Sequence, residues 1–121
     1  MTIPILRLGN VLIASIQDAL TDNDLIQLRD DLSSQVGRSR ATGVIVDVSA
    51  LDVMDSFATR TLRGIADITK LRGAKTVIVG IQPDVAFAMI QLGLDLDGVT
   101  TGLDLDEGLA AIERGDARHG R

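Results

Sequence analysis

Cysteine is absent from this 121-residue chain, which excludes disulfides, thiolate metal sites and cysteine nucleophiles. Histidine occurs once, as His119 in the polar ending "RGDARHGR", where it reads as a frayed terminal residue. No apolar run reaches the roughly 18 residues that a membrane span needs. The opening "MTIPILRLGN" lacks the basic start and cleavage region of a signal peptide, so a cytoplasmic protein is expected. Positive charge is also scarce: 12 basic residues face 17 acidic ones, for a net charge of −5. That balance opposes phosphate backbones and anionic lipid, so neither nucleic acid nor membrane is an expected partner. Low-complexity tracts, linkers and repeats of solenoid length are missing as well, which leaves one domain able to bury roughly two thirds of its unfolded surface.

What is present has a clear order. "IPILRLGNVLIASI" reads as two short apolar strands joined at Gly9-Asn10, a pair suited to a tight hairpin. "TDNDLIQLRDDLSSQVG" then spaces Leu25, Leu28, Leu32 and Val36 for one face of a helix, with Thr21 and Asp24 as a capping box and Gly37 as its stop. "VIVDV" at 44–48 and "KTVIVG" at 75–80 are β-branched runs typical of strands buried on both faces. Between them Ala58, Leu62, Ile65 and Thr69 recur at helical spacing, and Gly73 ends the run, so the segment predicts a βαβ unit with parallel strands. "IQPDVAFAMIQLG" predicts a short third helix, opened at Pro83 and ended at Gly93. "GVTTG" predicts a weak edge strand, and "LDLDEGLAAIERG" a last helix with Leu105, Leu109 and Ile112 on one face. The expected fold is α/β, a mixed sheet of about five strands flanked by about four helices in the order ββαβαβαβα. The domain occupies 1–113, and 114–121 reads as a polar tail.

The residues with chemical potential cluster in "VDVSALDVMDSFATRTL", at 46–62, where the strand gives way to the second helix. Asp47, Asp52 and Asp55 admit two readings. They could hold magnesium for phosphoryl transfer, because carboxylates are preferred ligands of hard cations. Alternatively, Asp47 caps nearby backbone while the other two solvate a turn and favour the positive end of the helix. An enzyme built on them has no histidine, cysteine or lysine beside them to act as acid or nucleophile. A phosphate-accepting receiver domain would need an acid pair after the first strand and a lysine near the last; "LRLGNV" and "GVTTG" supply neither. No glycine-rich phosphate loop of Walker spacing occurs, so no cofactor and no metal is assigned. Ser56 also has two readings, as the N-cap of the second helix or as a phosphoacceptor at a helix terminus that can hold an anion. The third helix has almost no polar face. Its apolar residues suit burial in the domain, or an assembly interface that includes Phe87, one of two aromatics in the chain, or Met89.

The 46–62 stretch, followed by "GIQPDVAFAMIQLG", resembles the STAS domain, the fold of sulfate transporters and anti-sigma factor antagonists, and within it the RsbS-type stressosome branch. The likeness runs from "IPILRLGNVLIASIQ" to "GLDLDEGL", and is most specific at Asp55-Ser56-Phe57 and Ile81-Gln82-Pro83. It implies that Ser56 is the phosphoacceptor of an RsbT-type serine/threonine kinase, with Asp52, Asp55, Phe57 and Thr59 forming the switch surface. It further implies a non-enzymatic scaffold that self-associates with RsbR-type STAS co-antagonists in a large complex and holds the kinase until Ser56 is phosphorylated; a phosphatase is a candidate further partner, and the sequence leaves open whether one resets Ser56. Simpler antagonists usually carry a small residue and then glycine after the serine, whereas this chain has Phe57 and Ala58. The resemblance therefore favours the stressosome type over a stand-alone antagonist of an anti-sigma factor.

Overall fold

The computed structural model describes residues 3–17 and 20–119. β1 (Ile5–Leu8) and β2 (Val11–Ser15) form the expected antiparallel hairpin, with Leu8 opposite Val11 and Gly9 at φ +60° in the two-residue turn. β3 (Gly43–Asp47), β4 (Lys75–Val79) and β5 (Thr100–Gly102) follow in parallel, so the sheet runs β1-β2-β3-β4-β5 in space as in sequence. Four helices complete the described residues: α1 (Asp22–Ser39), α2 (Ser56–Leu71), α3 (Pro83–Gln91) and α4 (Leu105–His119).

Strand side chains alternate between two cores, as the pleat requires. Leu12, Ala14, Val44, Val46 and Ile78 pack with the buried faces of α1, α2 and α3, including Leu28, Leu32, Leu62, Ile65, Val85 and Met89. Val11, Ile45, Val77 and Val79 face the other way, onto Ala111 and Ile112 of α4. This second layer is thin because a glycine sits at its contact: a β-carbon at Gly43 would lie 2.5 Å from Ile112 Cδ1. Among the α4 side chains whose burial is described, Gly108, Ala111 and Ile112 are accordingly the buried positions, whereas Leu105 is exposed and Leu109 half-buried, so the predicted face is rotated.

Helix ends follow local chemistry, though α1 and α4 both run past their expected stops. The α1 capping box forms, Thr21 Oγ1 accepting from Asp24 N–H and Asp24 Oδ2 from Thr21 N–H, both at 3.1 Å. The Thr21 N–H holds the Asp24 carboxyl below its ordinary value. Gly37 does not stop α1. The helix runs on to Ser39 and ends at Arg40 in the left-handed region, while a β-carbon at Gly37 would run into the Arg72 guanidinium that lies across it. α4 likewise continues through residues 114–119, read above as tail, because each further residue of a nucleated helix adds a hydrogen bond. The final two tail residues, 120–121, and the side chain of His119 lie outside the described residues.

Candidate functional site

The chain leaves β3 at Asp47, whose Oδ1 accepts the Ser49 N–H at 2.9 Å and turns the backbone out of the sheet. Leu51 and Met54 anchor the turn in the large core, while Asp52 and Val53 stay exposed. The neighbouring β4–α3 turn clasps it: Gln82 Nε2 donates to Ser49 O at 2.7 Å, and Gly80, at φ +81°, comes so close that a β-carbon there would lie 2.8 Å from Ser49 Cβ. Gln82 carries no sequence signal for this role, since its partner is 33 residues away.

The N-cap of α2 is Asp55, not Ser56. Asp55 has extended backbone, and its Oδ1 accepts the Ala58 N–H at 2.7 Å. Ser56 is displaced to the first helical position, where it is exposed and its hydroxyl has no hydrogen-bond partner among the described residues. A carboxylate and a hydroxyl are comparable caps, and Asp55 stands one residue earlier, where its oxygen reaches the third amide of the turn. Phe57 is half-buried beside Ser56. Thr59 does not belong to a switch surface: it is 2% exposed, and its hydroxyl donates back to Asp55 O at 2.9 Å. Ser56, Asp52 and Asp55 thus form one exposed shelf on a turn fixed from below by apolar anchors and from the side by Gln82.

The carboxylates are engaged with backbone rather than gathered together. Asp47 and Asp55 each hold an amide, and among the described residues no group of three or more acidic or histidine side chains is placed to hold a metal ion. No described helix is long and apolar enough to cross a membrane. α3 separates the two residues proposed for assembly. Phe87 is 64% exposed with Ile90 at 76%, whereas Met89 is 6% exposed and packs with Val85 in the domain's own core. Met89 is therefore not open to a partner, whereas Ile90 is exposed to solvent with Phe87.

The STAS domain family model matches residues 2–108. RsbT co-antagonist protein RsbRA of Bacillus subtilis (strain 168) is 28% identical over 93 residues, 76% of this chain and 34% of that protein. RsbRD of the same organism, another RsbT co-antagonist protein, is 30% identical over 67% of this chain and 29% of its own length. The chain thus spans about a third of the length of these curated relatives. Among solved structures, a serine-to-glutamate variant of RsbS from Moorella thermoacetica superposes with a TM-score of 0.81 at 34% identity, over 95% of this chain and 97% of that one. A chain from the architecture of the stressosome, described as a signal integration and transduction hub, gives 0.77 at 36% identity over 92% and 96%. With the family model spanning nearly the whole described fold and RsbS matched over almost all of its length, this chain belongs to the STAS domain family.

Proposed function

We propose that this chain is a non-enzymatic scaffold subunit of a cytoplasmic stressosome-like complex, and that it sequesters an RsbT-type serine/threonine kinase until Ser56 is phosphorylated. The observation that carries the reading is an unengaged, exposed serine on the first turn of α2, in a fold similar to RsbS over nearly its full length. A phosphate on Ser56 would add about −1.5 to −2 of charge beside Asp52 and Asp55, on a chain already at −5. The unpaired amides at the start of α2 and the positive end of its dipole stabilise that charge locally. Asp55 keeps its own amide, so the cap survives and the domain stays folded. A kinase docked on the shelf would meet the added charge as repulsion and lost fit, and would leave.

Partners follow from the same likeness. RsbR-type co-antagonists are the expected neighbours in the assembly, and exposed Phe87 and Ile90 are the apolar face assigned to that contact. The test is to incubate the purified chain with an RsbT-type kinase and ATP and map the modified peptide. One phosphate on Ser56 supports the reading; modification only elsewhere overturns it. A pull-down from cell extract separates the alternatives: larger STAS proteins with a kinase fit the scaffold, whereas an anti-sigma factor alone indicates direct antagonism.

A further inference from the structure

The end of the domain opposite Ser56 has a gap in its sheet. β4 begins at Lys75, but its pairing with β5 begins only at Val77 opposite Thr100. Along a strand, successive N–H groups point to opposite edges. The Lys75 N–H donates to Thr42 O on the β3 side at 3.0 Å, and the Gly80 N–H to Gly102 O on the β5 side at 3.1 Å. The Thr76 N–H must therefore face the β5 side, before the first ladder pair. It has no partner among the described residues, although Thr76 is buried.

Thr76 lines a cavity of about 640 Å³. The only two lysines of the chain, Lys70 from the last turn of α2 and Lys75 from β4, line it too. Lys75 Nζ is steadied by a bond to Ala111 O at 3.3 Å, which leaves two of its protons for another acceptor. Thr100 adds a hydroxyl, Ala66 and Ile112 supply an apolar wall, and among the described lining residues none is acidic. In a chain with an excess of acid, this concentration of ammonium groups around an unpaired amide is a positive pocket. Its volume falls in the range of about 300 to 1,000 Å³ typical of small-molecule sites, more than a bare phosphate needs.

We propose that this cavity binds a small phosphomonoester. Lys70, Lys75 and the Thr76 N–H take the dianionic phosphate, and the organic part lies on Ala66 and Ile112. Charge-assisted bonds to phosphate oxygens are the contacts these donors make best. The site is independent of the switch reading, since Ser56 and Lys70 are about 21 Å apart along α2.

The test is an amide NMR titration of isotope-labelled full chain with glycerol phosphate, using glycerol and inorganic phosphate as comparison ligands. Saturable movement of the Thr76 amide by glycerol phosphate is expected, with no effect of glycerol. Lys70→Gln, at an exposed position where folding is not at stake, should weaken binding about tenfold, and Lys75→Gln similarly. A Thr76 amide that stays still, an equal response to glycerol, or unchanged affinity in both folded variants would overturn the proposal. Inorganic phosphate binding as tightly as glycerol phosphate would overturn the part assigned to the organic group.

Discussion

α2 and α3 both leave the carboxyl edge of the parallel strands, after β3 and β4, yet they are held in different ways. α2 starts on a carboxylate cap, buries Leu62, Ile65, Ala66 and Thr69, and turns Arg60, Arg63, Asp67 and Lys70 to solvent. α3 has Pro83 at its start and no side-chain cap, buries Val85 and Met89, and leaves Phe87 and Ile90 uncovered. Apart from Leu71, exposed at its last position, α2 therefore commits most of its apolar content to its own domain, while α3 commits a smaller part. The helix that carries Ser56 is the better anchored of the two, which suits the proposed role of Ser56 as a phosphoacceptor whose surface would change charge without a change of fold.

The sharpest way to break this comparison is to truncate one apolar side chain on each helix. Leu62→Ala leaves a cavity in the large core and should cost about 2–5 kcal/mol, read as a lower midpoint in urea unfolding. Phe87→Ala removes a larger side chain but should change stability by no more than about 0.5 kcal/mol, because its ring is already mostly in water. The same variant should lose co-purification with RsbR-type partners. Equal destabilisation by the two substitutions would mean that Phe87 belongs to the core and that the contrast between the helices is false.

Smaller effects distinguish the two helix starts. Asp55→Ala should cost about 1 kcal/mol, and Asp55→Ser should recover most of it, because a hydroxyl can accept the same amide. Gln82→Ala removes no cap, but it releases the bond to Ser49 O and should cost about 0.5–1.5 kcal/mol. Thermal unfolding of the three variants measures both. If Gln82→Ala were silent, the α3 start would not be bracing the turn before α2.

Much of this architecture was legible because it is written locally. The β-branched runs, the Gly9-Asn10 turn, the Thr21–Asp24 box and Pro83 each specify structure within a few residues, and all appear as expected. The errors arise where local chemistry is degenerate. Asp55 and Ser56 are adjacent and both cap well, so only the backbone decides between them. A helix apolar on every side carries no period to tell Met89 from Phe87. Gly37 reads as a stop, but packing of Arg72, the residue just after α2, gives a small residue there a different purpose. The Thr76 amide is invisible in sequence, since its lack of a partner depends on where β5 begins.

The smallest structural effect, and the most telling functional one, is expected at Ser56. Because Asp55 supplies the cap, Ser56→Ala should change stability by only a few tenths of a kcal/mol, less than a cap serine would. It should lock the protein in the kinase-holding form. Ser56→Asp places a carboxylate at the favourable end of α2, so the fold should be unaffected, yet the same charge stands beside Asp52 and Asp55 and should weaken kinase binding. One carboxylate carries less charge than a phosphate and lacks its tetrahedral oxygens, so release should be partial where the phosphorylated protein gives full release. Raised salt should narrow the gap between Ser56→Asp and wild type, because exposed charges are screened over about 10 Å at moderate ionic strength. Kinase affinity for the four forms, measured at two salt concentrations alongside thermal unfolding, checks each step. Equal affinities across a folded set would leave Ser56 an ordinary first-turn residue and move the switch elsewhere on the domain.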